Sequence, residues 1–184
     1  KLFEKIIIVT NNINHFKKKK YPRLVKIIKG GKERSDSSLK ALKYIKRDKP
    51  KNIFIHDAAR PNFSIKLLKK ITKNLKTNKA VVPVIKSKDS IKYRVKNQTF
   101  NLNRDHLKLT QTPQAFRFKD LFNLAIKQKN KINDEATLFI NKNYKVKFIT
   151  GENQNNKITY FDDLKTPKTY FGIGFDIHKL VKNK

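Results

Sequence analysis

Short apolar runs of strand length alternate along this chain with segments that have helical spacing. The runs predict buried strands at residues 3–9, 24–28, 52–55, 80–85 and 146–150. Helices are predicted at residues 39–45, 65–75, 119–129 and 134–140. Alternation of strands and helices is typical of a mostly parallel sheet with helices on both faces. The sequence therefore predicts an α/β fold with a doubly wound, mostly parallel sheet.

Residues 87–100 interrupt this alternation. They are polar, and their apolar side chains alternate only weakly, at Ile91, Tyr93 and Val95. Because such a segment has little apolar surface to add to a core, we expect it to form a projecting β-arm. The stretch that follows, residues 103–116, is expected to be irregular with extended portions.

The chain is strongly basic, with 45 Lys and Arg against 14 Asp and Glu and a net charge of +31. Such a charge suits partners rich in phosphate, including nucleic acid. The basic residues are scattered, however, and the densest run, residues 17–20, has no interleaved aromatic side chain on which bases could stack. We therefore interpret the charge as a solvated Lys-rich surface. A basic, nucleic-acid-binding α/β module stays an alternative.

The sequence indicates neither disulfide bonds nor a membrane-spanning segment. It has no Cys, which excludes disulfides and thiolate chemistry. No apolar run approaches the ~18 residues that a transmembrane helix needs. The simplest expectation is a cytoplasmic protein. Because the chain starts at Lys1 and contains no Met, we expect it to be a fragment.

An acid and a base follow directly after the strand predicted at residues 52–55, in the sequence HDAARP. Ligands of open α/β sheets bind at the carboxyl ends of the strands. There Asp57 could hold a divalent metal ion and Arg60 could grip a phosphate. The small Ala58 and Ala59 would let a ligand approach the backbone. The same spacing is also compatible with a turn that carries a surface ion pair.

A second polar segment, GGKERSDSS at residues 30–38, precedes a predicted helix. Gly30 and Gly31 allow a tight turn, and Ser and Asp side chains can cap the helix. Backbone donors, hydroxyls and a helix start together suit a phosphate or a ribose. Two later polar loops, QTPQAF and GENQNNKIT, are each also compatible with a structural role alone.

Six segments resemble, in order and spacing, those of 2-C-methyl-D-erythritol 4-phosphate cytidylyltransferase: GGKERSDSSLKAL, FIHDAARP, AVVPVIKSKDSIK, RDHLKLTQTPQAF, NDEATLF and GENQNNKIT. The resemblance covers residues 3–164 and implies a nucleotidyltransferase-like, Rossmann-type fold. FGIGFDIHKL, at residues 171–180, is similar to the opening strand of 2-C-methyl-D-erythritol 2,4-cyclodiphosphate synthase. Some bacteria fuse these two enzymes in this order. The resemblance therefore implies a cytidylyltransferase domain over residues 1–166 and the start of a cyclase domain over residues 167–184.

The resemblance also implies an activity, the transfer of a cytidylyl group from CTP to 2-C-methyl-D-erythritol 4-phosphate in isoprenoid precursor synthesis. Pyrophosphate would be released. The implied nucleotide contacts are Gly31, Ser37, Asp57 and Ala58. Asp57 would also lie near Mg²⁺ and would share the catalytic role with Arg60 and Lys157. Another sugar-alcohol phosphate cytidylyltransferase is an alternative.

The acceptor substrate would be held by a second group of side chains and across a dimer. By resemblance, the substrate phosphates are surrounded by Arg60, Ser90, Thr112 and Lys157. Arg104 would lie on or beside the arm and reach the substrate of the neighbouring subunit. The resemblance thus implies a homodimer joined through the arm.

Two features of these families have no match. The Gly-rich loop whose Arg and Lys hold the triphosphate has no counterpart, because the chain begins at what resembles the second strand of the family's sheet. Asp176 and His178 match the first two ligands of the cyclase metal, Zn²⁺ or another divalent ion, and the third would lie beyond Lys184. We therefore expect these 184 residues alone to be inactive in both reactions.

Overall fold

The computed structural model describes residues 2–18, 20–22, 25–128 and 132–164. Its strands are β1 (Ile6–Thr10), β2 (Val25–Lys29), β3 (Asn52–Ile55), β4 (Ala80–Ile85), β5 (Ile91–Val95), β6 (Gln98–Leu102), β7 (Leu109–Thr110), β8 (Gln114–Arg117) and β9 (Lys147–Thr150). Its helices are α1 (Ile13–Lys17), α2 (Arg34–Ile45), α3 (Ile65–Leu75), α4 (Phe118–Ala125) and α5 (Ala136–Ile140), with 3₁₀ turns at Lys46–Asp48, Arg104–His106 and Phe161–Leu164. None of these helices is long and apolar enough to cross a membrane. The predicted α/β class is confirmed.

The central sheet has five strands of mixed direction. β8 lies between β3 and β4 and is antiparallel to both. β9 pairs with β4 in parallel, and β7 pairs with it antiparallel. β3, β4 and β9 therefore run in the same direction, while β1 and β2 form a separate parallel pair. The sheet is more mixed than the predicted, mostly parallel one, because β8 enters its centre in the opposite direction.

β8 falls where the sequence predicts an irregular stretch. Its first residue, Gln114, is buried, and the side chain donates a hydrogen bond to Oδ2 of Asp134 at 3.0 Å. Ala115 and Phe116 are also buried. A four-residue strand that begins with a polar side chain lacks the apolar run by which a buried strand is recognised. Its place at the centre of the sheet is therefore missed at the level of sequence.

Apolar side chains are buried on both faces of the central sheet. On one face, α2, α4 and α5 pack around Phe116. On the other, α3 packs against Val81 and Ala115. Because successive strand residues face opposite sides, the cross-strand pairs Ala80–Phe116 and Val81–Ala115 contribute to the two cores in turn. Helices on both faces confirm the predicted doubly wound arrangement.

β5 and β6 form an antiparallel hairpin, the arm predicted for residues 87–100. Directly paired residues of such a hairpin share a face. One face of the arm therefore carries four exposed apolar side chains, Tyr93, Val95, Phe100 and Leu102. An exposed apolar face of this kind is typical of an interaction surface.

Candidate active site

Four polar segments meet at the end of the central sheet where β3 and β9 finish, which is called its carboxyl edge below. β3 and β9 run in the same direction, so residues 56–60 and 151–158, which follow them, lie at the same edge. β8 runs the opposite way, so that Gln111 and Thr112, which precede it, lie there as well. The first turn of α2 adds Arg34. Hydrogen bonds between these loops build one polar cluster.

Asp57 lies within this cluster between two cationic side chains. Its Oδ1 accepts a hydrogen bond from Nε of Arg34 at 3.1 Å, and its Oδ2 lies 3.8 Å from Nζ of Lys157. Its backbone N–H donates to Oγ1 of Thr112 at 3.0 Å. The Asp57 side chain is 19% exposed, so a ligand can reach it. The structure thus brings together three predicted site residues, Asp57, Thr112 and Lys157.

Arg34 joins Asp57 to a buried carboxylate, and neither Arg34 nor that carboxylate is predicted as a site residue. Nη1 and Nη2 of Arg34 donate to Oε1 and Oε2 of Glu135, each at 3.0 Å. Glu135 is 1% exposed, so this two-point contact compensates a buried charge. Burial alone lowers the pKa of Arg34, but Glu135 and then Asp57 outweigh it and raise that pKa above its usual value. The two residues stand in the motifs ERSDSS and NDEATLF, but a pairing across 101 positions leaves no local signal.

The hydroxyl of Thr112 has two protein partners. It accepts from the backbone N–H of Asp57 and lies 3.0 Å from Nδ1 of His56. Nε2 of His56 lies 3.0 Å from the carbonyl oxygen of Arg60. Because a carbonyl only accepts, Nε2 carries the proton and Nδ1 accepts from Thr112. Burial lowers the pKa of His56, which favours this neutral form. Thr112 therefore orients the backbone of Asp57.

The guanidinium group of Arg60 is tied to backbone carbonyls of neighbouring loops. Nη1 donates to the carbonyl of Asn155 at 2.8 Å, and Nη2 donates to that of Thr110 at 3.4 Å. Its buried Nε has no partner within the described part of the chain. Burial lowers the pKa of Arg60, and the charge of Asp57 partly offsets this effect. Arg60 thus joins its own loop to the end of β7 and to the loop after β9.

The loop after β9, which carries Lys157, is held by two buried amide side chains. Gln111 donates to the carbonyl of Glu152 at 2.8 Å and accepts from the N–H of the same residue at 3.0 Å. Asn155 donates to the carbonyl of Thr112 at 2.8 Å. These contacts fix the loop against the start of β8, and they place Lys157 beside the end of β3.

The turn before α2 is too closely packed for a side chain. A Cβ at Gly31 would lie 2.2 Å from Cβ of Asp36 and 3.1 Å from its carbonyl carbon. The Gly31 N–H donates to Oγ of Ser37 at 3.0 Å, and that hydroxyl donates to the carbonyl of Glu33 at 3.1 Å. Gly31 and Ser37, both predicted nucleotide contacts, therefore shape the turn from which Arg34 extends.

The other predicted site residues are placed differently. Ala58 is exposed in the loop after β3. Ser90 and Arg104 form hydrogen bonds with residues of the arm itself and lie at its base. Asp176 and His178, the predicted ligands of a second metal, lie outside the described residues.

A metal ion at this edge would need ligands from outside the protein. Within the described ranges, no group of three Asp, Glu, His or Cys side chains is placed to hold a metal ion. Mg²⁺ is commonly bound by one or two carboxylates together with phosphate oxygens. Oδ2 of Asp57, which lies 3.8 Å from the partly exposed Lys157, can supply one such ligand. The site can therefore offer one carboxylate oxygen to a divalent metal ion.

Comparison with known proteins decides the family. A sequence profile of 2-C-methyl-D-erythritol 4-phosphate cytidylyltransferase matches residues 1–172. The chain belongs to this family. The bifunctional enzyme IspD/IspF of Pelagibacter ubique (strain HTCC1062) is 47% identical over a 184-position alignment that covers 99% of this chain and 50% of that protein. The bifunctional enzyme of Campylobacter fetus subsp. fetus (strain 82-40) is 32% identical over 96% of this chain and 47% of its own length. The chain thus spans about half the length of the curated relatives it matches.

Solved structures of the family have the same fold. The 4-diphosphocytidyl-2C-methyl-D-erythritol synthase of Anaerococcus prevotii DSM 20548 is 32% identical, with a TM-score of 0.78 over 87% of this chain and 75% of that one. The bifunctional IspDF of Campylobacter jejuni is 30% identical, with a TM-score of 0.76 over 88% of this chain and 41% of that one. The predicted nucleotidyltransferase-like fold is therefore confirmed.

Proposed function

We propose that this chain forms the site at which a cytidylyl group passes from CTP to 2-C-methyl-D-erythritol 4-phosphate, with release of pyrophosphate. The observation that supports this most is the placement of Asp57 between Arg34 and Lys157 at the carboxyl edge of the sheet. Ligands of open α/β sheets bind at that edge. Phosphoryl transfer is catalysed mainly by positioning and by neutralising charge. An acid flanked by two cations meets both needs for a triphosphate.

The proposed nucleotide and phosphate contacts come from several segments, and the loop after β3 supplies one of each kind, Ala58 and Arg60. Gly31, Ser37 and Ala58 would contact the nucleotide. Lys157 and the partly exposed Arg60 would face the phosphates, together with Ser90, while Thr112 acts by orienting Asp57. Mg²⁺, when bound, would neutralise charge on the triphosphate, and Asp57 would hold it.

The activity is tested on the full-length gene product with CTP, Mg²⁺ and 2-C-methyl-D-erythritol 4-phosphate. The measured products are pyrophosphate and the CDP-linked alcohol, and ribitol 5-phosphate replaces the acceptor in a parallel reaction. Product only with the ribitol substrate would favour another sugar-alcohol phosphate cytidylyltransferase. No product with either, together with retention of RNA on filters at moderate salt, would favour a nucleic-acid-binding module. The same assay on the 184-residue chain tests the expectation that it is inactive by itself.

We further propose that the arm forms a homodimer interface and that Arg104 acts on the substrate of the neighbouring subunit. The apolar face of the arm and the position of Arg104 at its base support this. Inactive Arg104→Ala subunits mixed with inactive Asp57→Asn subunits should regain about a quarter of the parental activity, since half of the dimers would be hybrids with one intact site. No recovery in a mixture that demonstrably contains hybrid dimers would exclude action across the interface.

Residues 167–184 are proposed to begin a cyclodiphosphate synthase domain. The bifunctional relatives support this, because this chain matches about half of their length. Asp176 and His178 would supply two ligands of zinc or another divalent metal. The metal content of the full-length protein, compared with that of an Asp176→Ala variant, tests this assignment. Unchanged metal content would contradict it. The cytoplasmic location stays a prediction.

A further inference from the structure

We propose that Arg34 is a positioning residue for the transfer reaction, which uses the buried Glu135 as an anchor to hold the Asp57 carboxylate in one orientation. The inference rests on the proposed function and adds a residue to it. Arg34 would not touch the reacting atoms. It would act through Asp57, because each of its donor nitrogens is already paired with a carboxylate oxygen of Asp57 or Glu135.

Each donor nitrogen of the Arg34 side chain has its own acceptor. Nη1 and Nη2 meet the two carboxylate oxygens of Glu135 at 3.0 Å each, and Nε meets Oδ1 of Asp57 at 3.1 Å. The guanidinium group is planar and rigid. Once Glu135 fixes its plane, the direction of Nε–H is fixed as well, and so is the position of Oδ1. The second oxygen, Oδ2, is then turned toward Lys157, 3.8 Å away.

Both ends of this bridge are themselves held in place. Arg34 is the first residue of α2, and reciprocal hydrogen bonds between Glu33 and Asp36 cap that helix. Glu135 directly precedes α5, where Oδ1 of Asp134 accepts the N–H of the second helical residue at 3.0 Å. The bridge therefore transmits the positions of two helix starts to the carboxylate at the end of β3.

A bridge of this kind could also serve the fold alone. The exposure of its members argues for a role in the site as well, because Glu135 is buried whereas Arg34 and Asp57 both reach solvent at the edge where the loops meet. A Lys at position 34 would keep the positive charge but would have one ammonium group in place of a planar fork. It could not hold both carboxylates in fixed relative orientation. Arg34→Lys therefore separates geometry from charge.

The test is a double-mutant cycle on cytidylyl transfer by the full-length gene product. Arg34→Lys should lower kcat at least about tenfold and change the KM for CTP by less than about threefold, because it disturbs orientation rather than binding. In an Asp57→Asn background the same substitution should change kcat by less than about twofold, since its effect passes through Asp57.

Arg117→Lys is the matched control. Arg117 bridges the Asn52 side chain and the Lys76 carbonyl at the opposite edge, so kcat should stay parental.

A purely structural role makes a different prediction. It would give the same fold-loss in kcat with and without the Asp57 carboxylate, and that result would overturn the inference. Glu135→Gln, which keeps the shape of the anchor and removes its charge, should also lower kcat only while Asp57 is present. If Arg34→Lys does not fold, Glu135→Gln is used instead to compare the loss in kcat with and without the Asp57 carboxylate.

The two hypotheses fail in distinguishable ways. A full-length protein with no cytidylyl transfer overturns the proposed function and the role of Arg34 with it. An active protein whose Arg34→Lys and Glu135→Gln variants keep the parental kcat overturns only the role of Arg34.

Discussion

Asp57→Asn is expected to lower kcat for cytidylyl transfer by more than about a hundredfold, the scale of removing one preorganised electrostatic group. Asn has nearly the same shape, so its Oδ1 can still accept the hydrogen bond from Nε of Arg34, which is 3.1 Å long in the parent. The variant loses the negative charge between Arg34 and Lys157 and, with it, the proposed carboxylate ligand for Mg²⁺. The fold should be retained, because Glu135 continues to pair with Arg34.

Steady-state kinetics of the full-length protein at saturating CTP and Mg²⁺ measure this loss, and urea unfolding checks the fold. Asp120→Asn is a matched control. Asp120 pairs with the exposed Lys79 at 2.8 Å, at the opposite edge of the sheet, and a surface pair of this kind contributes little to stability. The kcat of the Asp120→Asn variant should equal that of the parent. A kcat for Asp57→Asn within a few-fold of the parent would remove Asp57 from the reaction.

Elements with strong local signals could be predicted to the residue. The bounds predicted for β3, α3 and β4 agree with those of the structure. α3 shows why, since Ser64 caps it by accepting the N–H of Leu67 at 3.0 Å, and Leu67, Ile71 and Leu75 face one core. Both features can be read from neighbouring residues. Local sequence was sufficient because local interactions define these elements.

Elements that depend on distant polar partners could not be predicted in this way. Gln114 has the polar side chain of a typical loop residue, but it is buried in β8, where its amide nitrogen donates a hydrogen bond to Asp134. Gln111 and Asn155 are also buried, and their partners lie more than 40 positions away. Burial of a polar side chain is favourable only when such partners exist. Without the fold, the sequence does not show that they do.

The residues of the candidate site likewise fall into those that local motifs reveal and those that only the fold reveals. The motif around Asp57 and the loop of Lys157 are recognisable separately, and in the structure Oδ2 of Asp57 lies 3.8 Å from Nζ of Lys157. Arg34 and Glu135 resemble ordinary charges near helix starts, where many solvated side chains occur. Only the sheet order, which brings α2, β3 and α5 together, shows that they form one network with Asp57.

Phe116→Ala is expected to reduce the free energy of unfolding by about 3–5 kcal/mol, a large share of the ~5–15 kcal/mol of a typical domain. Phe116 is 0% exposed and stands in β8, paired with Ile53 of β3 and Ala80 of β4. Its ring stacks on that of Phe139 in α5, with 5.3 Å between centroids. Truncation would leave a cavity between the sheet and α5. Strands paired on both sides of β8 cannot move in to fill that cavity.

Urea denaturation of the parent and the variant measures this loss. Phe161→Ala is the matched control, because that ring is 79% exposed and its removal should change the free energy of unfolding by less than about 0.5 kcal/mol. If Phe116→Ala lowers the free energy of unfolding by less than about 1 kcal/mol, β8 does not contribute to the core as the structure indicates. The outcome also bears on the site, because the backbone N–H of Asp57 depends on Thr112, which lies two residues before β8. Activity of the variant should therefore be lost at a lower urea concentration than that of the parent.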